Sequence, residues 1–389
     1  MKKIISILGS TGSIGLSTLA IIDKKKNFFK LNLLSSNKNF KLICKQIKNY
    51  SPNFYVVANK KIFIKVKKKF KKKKTVILNN FEFKKLKIKN DITVSAIPGI
   101  KGLEPTIFMV KLSKKILIAN KESIICGWNL IKKDALKNKT KIVPVDSEHF
   151  SIFTLLKNHK LNEIKKIYIT ASGGPFLNYK KNQFKKIKPK DALRHPKWKM
   201  GKKITIDSST LMNKMLELIE AQKLFNIPAN KIDILIHPNS LVHAIIKLKN
   251  GLTKFIYHET TMIIPLANAL FDEDLNIEKF YNKKFNKGII ENLTFQKVNR
   301  KTFPIIDLKN RLNESPSTPI IINAANEILV DQFLQKKIPF LSISKTILSI
   351  LNDRNYKKYA IRDPKNIKEI IKVDKWAREN IIKKFKLHD

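Results

Sequence analysis

The 389-residue sequence has only two cysteines, Cys44 and Cys126, eleven glycines and 30 acidic residues. Two cysteines exclude a disulfide-stapled scaffold and a cysteine-rich zinc site. The shortage of acid against 79 basic residues leaves a formal net charge of +49, which taken alone points to a nucleic-acid binder. Arginine is scarce as well: it supplies six of the basic residues, Arg194, Arg300, Arg311, Arg354, Arg362 and Arg378. Proteins that read base edges depend on the planar guanidinium fork for bidentate contacts, so a lysine excess argues against specific nucleic-acid recognition. The run Lys65–Lys74, broken only by Val66 and Phe70, reads as solvated, self-repelling surface. A long apolar run is also missing. Ile4–Ile22 carries no charge, but Gly9-Ser-Thr-Gly12-Ser13 interrupts it and no small-x-small cleavage site follows. Signal peptide and membrane span are therefore not expected, and the chain is expected to be cytoplasmic.

What is present is a chain with 43% hydrophobic residues, enough for buried cores, and a length that suggests two or three domains at about 150 residues each. Lysine is absent from Ile142–Leu156, Ile167–Tyr179 and Ile236–Ile246, and occurs once, as Lys214, in Ile204–Ala221. Burial explains the apolar part of these windows. It does not explain why they also hold Asp, Glu, Ser, Asn and His.

Short β-branched runs at Ile4–Leu8, Leu31–Leu34, Phe54–Val57, Ile92–Ala96, Ile116–Ile118 and Ile142–Val145 alternate with helical stretches, which predicts a parallel, doubly wound sheet. Further strands are expected at Ile167–Thr170, Ile232–Ile236 and Ala244–Leu248, and a helix through Leu211, Met215, Leu218, Ile219 and Gln222. The expected class is α/β: an N-terminal Rossmann-like parallel sheet (1–146), a central α+β catalytic domain (147–275), a polar linker (276–305) and a small C-terminal helical domain (306–389).

Gly9-x-x-Gly12-x-x-Gly15 follows a strand and opens a helix, where a pyrophosphate can approach the backbone; a ligand-free turn is the alternative. After the next strand, Ser35-Ser36-Asn37-Lys38-Asn39 has no acid for a ribose hydroxyl but a lysine and hydroxyls for a 2′-phosphate, which favours NADPH over NADH. Asp146 and Glu148 are two apart, so an extended chain turns both carboxylates to one side, suited to Mg2+ or Mn2+; capping a helix is the alternative. Asp207-Ser-Ser-Thr210 reads as a capped turn leading into a helix on which Asn213, Lys214 and Glu217 share a face. That set suits an anionic, hydroxylated substrate and a third metal carboxylate, against an ordinary surface ion pair. His195-Pro-Lys-Trp198-Lys-Met200-Gly201 reads as a closing lid or a structural loop, and Ser172-Gly-Gly-Pro175 as a phosphate-binding loop or a plain turn.

Together these segments resemble the 1-deoxy-D-xylulose 5-phosphate reductoisomerase family: LGSTGSIG (8–15), ANKES (119–123), VDSEH (145–149), SGGPF (172–176), HPKWKMG (195–201), DSSTLMNKMLE (207–217), IEA (219–221), HPNSLVH (237–243) and NAANE (323–327). The resemblance implies a phosphosugar substrate, rearranged by retro-aldol and aldol steps and then reduced by NADPH, one divalent cation, and a homodimer. It implies that Asp146, Glu148 and Glu217 bind metal. It places Lys121, Ser147, Glu148, Ser172, His195, Ser208, Asn213, Lys214 and Glu217 on the substrate, and Trp198 and Met200 in a lid. Lys121, Asp146, Glu148 and Glu217 are its catalytic set. Thr11, Gly12, Ser13, Ile14, Asn37, Lys38, Asn39, Asn120, Glu122 and Gly201 are implied for NADPH. The chain departs from the family pattern at Asn37 and Met215, each where Gly is usual, at Ser209 in place of Ala, and across Tyr257–Pro265, which lacks an expected Pro-Asp-Met-Arg. A plain NADP-dependent dehydrogenase would explain the first 145 residues but not three carboxylates and a His-Pro-x-Trp loop.

Overall fold

The computed structural model describes residues 1–81, 89–198, 200–271, 275–280 and 293–385. These form two compact units. The first comprises Met1–Ser123, Asn129–Phe150 and Thr261–Gly288; the second comprises Ile124–Trp128, Ser151–Thr260 and Ile289–Asp389.

The first unit is built on β1 (Lys3–Leu8), β2 (Phe29–Ser36), β3 (Phe54–Val57), β4 (Val76–Leu78), β5 (Asn90–Ser95), β6 (Ser113–Ile118) and β7 (Lys141–Pro144). They pair in the order β4-β3-β2-β1-β5-β6-β7, and every pair is parallel. A parallel sheet is covered on both faces, which is why its strands are rich in apolar residues: Ile5, Ile7, Leu8, Ile116 and Leu117 are wholly buried. The helices that follow these strands are α1 (Ser13–Lys24), α2 (Phe40–Tyr50), α3 (Lys60–Lys69), α4 (Leu103–Lys111), α5 (Lys121–Asn138) and α6 (Ser147–Leu156), of which Ile124–Trp128 of α5 and Ser151–Leu156 of α6 count with the second unit. Strand order reverses at β1 and β5, so the crevice beyond their carboxyl ends is where such a sheet takes a nucleotide.

The second unit holds a mixed sheet of β8 (Ile164–Ala171), β9 (Ile232–Ile236), β10 (Val242–Leu248), β11 (Thr253–Tyr257) and β12 (Gln296–Lys297), ordered β11-β10-β8-β9-β12. Its helices are α7 (Pro189–Ala192), α8 (Lys202–Ser209) and α9 (Met212–Phe225); α10 (Ile263–Leu270) belongs to the first unit; α11 (Thr318–Leu334), α12 (Phe340–Ile350), α13 (Tyr356–Ala360) and α14 (Ile367–Phe385) close the chain. The C-terminal helices are tied by Arg378, which bridges Asp374 of its own helix (2.7 Å) and Glu327 of α11. No described helix is long and apolar enough to cross a membrane.

All nine expected strands form. β4, β11 and β12 were not anticipated. Two local expectations are corrected. Asp146 and Glu148 do not lie in extended chain: β7 ends at Pro144 and Ser147 and Glu148 open α6. The Asp146 carboxylate accepts the Glu148 amide (3.3 Å), so capping decides the conformation. Asp207–Ser209 do not form a capping turn either; they are the last turn of α8. Of the expected linker 276–305, residues 281–292 lie outside the described residues, as does Lys199 in the expected lid.

Candidate functional site

In the first unit, the chain leaves β1 at Gly9, whose φ of +81° is open to glycine and strained for other residues. A Cβ at Gly9 would lie 2.5 Å from the Ala96 carbonyl oxygen, and one at Gly15 would lie 2.4 Å from that of Gly9. The turn is braced from beneath by buried polar groups. The Ser10 amide donates to the Ser35 carbonyl (2.8 Å), Gln46 Nε2 to the Ser10 carbonyl (2.8 Å) and the Tyr55 hydroxyl to Gln46 Oε1 (2.7 Å). The N-terminus of α1 has Gly12 as its cap and no side chain bonded to it, and Gly12 and Ser13 are exposed, with Thr11 and Ile14 half-buried. That is a cradle a Cβ would fill, at a helix end whose amides face outward, and it fits a pyrophosphate. Asn37 and Lys38 are exposed after β2, while the Asn39 side chain accepts the Leu42 amide and caps α2 (3.1 Å).

Asn120 caps α5 by accepting the Ser123 amide (2.6 Å), and its amide nitrogen reaches the carbonyls of Ile97 and Gly99 and the Glu122 carboxylate (3.2 Å). Its side chain therefore locks the β5 and β6 ends together. Lys121, the first residue of α5, sets Nζ 2.7 Å from Asp146 Oδ2. Burial raises the Asp146 pKa, but Lys121 and then His149 outweigh it and hold the carboxyl well below the usual carboxylate range. His149 is fully buried with Nδ1 3.4 Å from Asp146 Oδ1, and Ser147 donates to Glu148 Oε2 (2.6 Å). Ionised carboxylates with oxygen-only donors suit a hard divalent cation.

In the second unit, α8 and α9 are joined at Leu211, which adopts φ +67°. A left-handed conformation at a branched residue costs on the order of 1–3 kcal/mol and persists only where packing imposes it. Leu211 is 1% exposed. Asp207 anchors the joint: Lys203 Nζ lies 2.9 Å away and Asn326 of α11 donates to it (2.8 Å). This leaves Ser208 half-exposed at the end of α8. On α9, Glu217 is 0% exposed. Lys214 Nζ lies 2.7 Å from Glu217 Oε2, and Asn213 Nδ2 donates to the other carboxylate oxygen. The ordinary surface pair is excluded, since both charges are buried.

Ser172 and His195 meet in the same unit. His195 Nδ1 accepts the amides of Trp198 (2.9 Å) and Lys197 (3.2 Å), so the ring proton sits on Nε2 and is donated to Ser172 Oγ (3.1 Å). The Gly174 amide also donates to Ser172 Oγ (3.1 Å). With its lone pairs engaged, the Ser172 hydroxyl has its own hydrogen left to give to an anion. Burial, and then the Lys214 charge, push the His195 pKa down to about 4, so the ring stays neutral at ordinary pH. Gly174, at φ +64°, passes so near α8 that a Cβ would lie 3.0 Å from the Ser208 carbonyl oxygen. Trp198 and Met200 are half-buried. Gly201 caps α8 in a conformation open to any residue, with nothing within 4 Å of a Cβ. Its identity is not demanded by the local backbone.

Ser10, Gln46, Tyr55, His149, Asp207 and Asn326 support these groups and were not singled out from sequence. Ser10, His149, Asp207 and Asn326 lie inside quoted motifs, which was the available signal; Gln46 and Tyr55 do not.

The chain matches the family described as 1-deoxy-D-xylulose 5-phosphate reductoisomerase over residues 5–127, and two C-terminal domains of the same enzyme over 142–225 and 259–380. It is 48% identical over 376 residues to the 1-deoxy-D-xylulose 5-phosphate reductoisomerase of Pelagibacter ubique, covering 95% of this chain and 96% of that one. A crystal structure of DOX-P reductoisomerase in complex with NADPH, fosmidomycin and magnesium superposes with a TM-score of 0.86 at 31% identity, covering 99% of this chain and 98% of that one. The Zymomonas mobilis 1-deoxy-D-xylulose 5-phosphate reductoisomerase in complex with NADPH gives a TM-score of 0.86 at 29% identity, covering 100% of both chains. Shared motifs, fold and end-to-end similarity agree, and the chain belongs to the 1-deoxy-D-xylulose 5-phosphate reductoisomerase family.

Proposed function

We propose how the residues of the two units carry out the family's reaction, the NADPH- and divalent-metal-dependent conversion of 1-deoxy-D-xylulose 5-phosphate to 2-C-methyl-D-erythritol 4-phosphate. Asp146, Glu148 and Glu217 would be the ligands of one divalent cation, Mg2+ or Mn2+. Bound there, the cation supplies Lewis-acid polarisation of the substrate's neighbouring carbonyl and hydroxyl oxygens. Lys121 keeps Asp146 ionised and stabilises negative charge that develops on those oxygens. His149 and Ser147 orient the first two carboxylates.

Ser172, Ser208, Asn213 and Lys214 grip the phosphate. The neutral His195 holds Ser172 so that its hydroxyl donates outward. Trp198 and Met200 cover the substrate, and the remote phosphate contacts lend binding energy to that closure. Thr11, Gly12, Ser13 and Ile14 receive the cofactor's pyrophosphate, and Asn37 and Lys38 its 2′-phosphate, with Asn39 fixing the loop by capping α2. Asn120, Glu122 and Gly201 complete the cofactor contacts, and NADPH bound there supplies the hydride. The chain acts as a cytoplasmic homodimer. Two buried cysteines outside any disulfide suit a reducing compartment, and the edge strand β11 leaves Phe255 42% exposed, an apolar position a second copy would cover.

The observation that carries the metal assignment is the buried Glu217 carboxylate, held between Asn213 and Lys214 on α9. The purified protein with substrate and Mn2+ should oxidise NADPH, and Glu217→Gln should abolish most of that rate. Full activity in EDTA would sink the metal assignment.

A further inference from the structure

The segment Tyr257–Pro265, where this chain departs from its family's pattern, brings a histidine to a place of consequence. His258 follows β11, and its ring stacks on that of His243 with centroids 3.8 Å apart and planes 17° from parallel. The His243 ring in turn meets the Trp198 indole edge-on, at 6.2 Å and 77°. A bulge sets up this contact. Val242 pairs with Tyr257 and Ala244 with Ile256, so His243 is an extra residue in β10 with no opposite number. The extra residue breaks the alternation of the strand and re-aims the side chain, as bulges beside functional sites do. Val242, His243 and Ala244 are all buried.

The hydrogen bonds fix both rings. His243 Nε2 lies 3.2 Å from the His258 carbonyl and donates to it. His258 Nδ1 donates to the Glu259 carbonyl (2.7 Å), which leaves Nε2 as the lone-pair nitrogen, buried with no hydrogen-bond partner among the described residues. Burial accordingly pushes the His258 pKa down, with the Glu259 carbonyl opposing. His258 is thus tethered to the backbone at one nitrogen only, and its ring face is spent on His243.

We propose that His258 is a positioning residue for the lid: it buttresses His243, whose edge holds the Trp198 indole in the orientation that covers the phosphosugar. Trp198 is then fixed at two points, its amide by His195 and its ring by the histidine pair. This rests on the reading of Trp198 as a substrate cover.

The test uses the full-length protein with Mg2+, NADPH and 1-deoxy-D-xylulose 5-phosphate, and a second sample labelled with fluorinated tryptophan. Losing one aromatic support in His258→Ala should raise the KM for the phosphosugar roughly two- to tenfold, with a smaller change in kcat and none in the KM for NADPH. The Trp198 fluorine resonance, assigned with Trp198→Phe, should shift in His258→Ala. His258→Phe, which restores a stacking ring, should return both readings toward wild type. If His258→Ala does not fold, His258→Gln gives the same two readings. An unmoved Trp198 resonance in a folded variant overturns the proposal, and so does failure of His258→Phe to rescue. If Trp198→Phe and Trp198→Ala themselves leave the KM unchanged while the resonance shift is seen, the stack stands and the cover reading is what has failed.

Discussion

Helices α3 and α9 use the same residue type to opposite ends. In α3, Lys60–Lys69, six of ten residues are lysine and Val66 alone is buried. In α9, Lys214 is 6% exposed and lies 2.7 Å from the fully buried Glu217. An exposed lysine keeps its water and contributes on the order of 0–1 kcal/mol whatever stands near it. A buried ammonium has lost its water and depends on its partner, so removing either member costs about 3–5 kcal/mol. Net charge counts both kinds equally. The environment, not the number of lysines, decides which of them carry function.

The largest expected effect lies in α9. Glu217→Gln removes a proposed metal ligand and leaves Lys214 without its counter-charge; kcat/KM should fall by about 10³-fold or more, measured by NADPH oxidation. A loss under tenfold would make α9 energetically like α3 and break the contrast. Next, Lys214→Met leaves the Glu217 carboxylate buried and uncompensated, and denaturant unfolding should show a loss of about 3–5 kcal/mol. Ser172→Ala removes the hydroxyl that His195 and the Gly174 amide orient, and the KM for the phosphosugar should rise about 10- to 100-fold, the worth of one hydrogen bond to a charged group.

The histidines sharpen the comparison through pH. His195 and His258 both have folded pKa values below the ordinary histidine value, in the case of His195 about 4. The unfolded chain therefore binds more protons than the folded one between about 6.5 and the folded values, and stability should fall as pH drops through that window. Melting curves from pH 7 to pH 4 check this, and His195→Asn should flatten part of the slope. Smallest of all, Lys67, Lys68 and Lys69→Gln together in α3 should leave stability within about 0.5 kcal/mol per site. Any effect of that triple change on kcat/KM should appear at low salt and vanish as ionic strength rises.

The strands legible in the sequence are those dense in aliphatic and β-branched residues, such as β1, because burial leaves that mark in the residues. β4 has three residues, β12 two, and β11 is the half-exposed TKFIY at a sheet edge; pairing partners distant in sequence, not local pattern, make them strands. Of the proposed site residues, Asp146–Glu148, Ser172, Ser208 and Asn213–Glu217 stand out in lysine-poor windows, whereas Asn37–Asn39, Asn120–Glu122 and His195–Gly201 do not, and not all of their local backbone was legible. Asp146 and Glu148 look extended in sequence, yet an Asp side chain accepting the amide two residues on starts a helix. Leu211 carries no local sign of a positive φ, because α8 and α9 impose it from outside. The brace under the glycine turn joins Ser10 to Gln46 and Tyr55, 36 and 45 residues away, a distance over which local pattern says nothing.

The most direct measurement is NADPH oxidation by the protein stripped with EDTA, given 1-deoxy-D-xylulose 5-phosphate, before and after Mn2+ is restored, in wild type and Glu217→Gln. The buried carboxylate of α9 as metal ligand predicts a negligible rate without metal, recovery on restoring Mn2+ in the wild type, and no comparable recovery in the variant. A full rate in EDTA, or a variant that recovers as the wild type does, would contradict it.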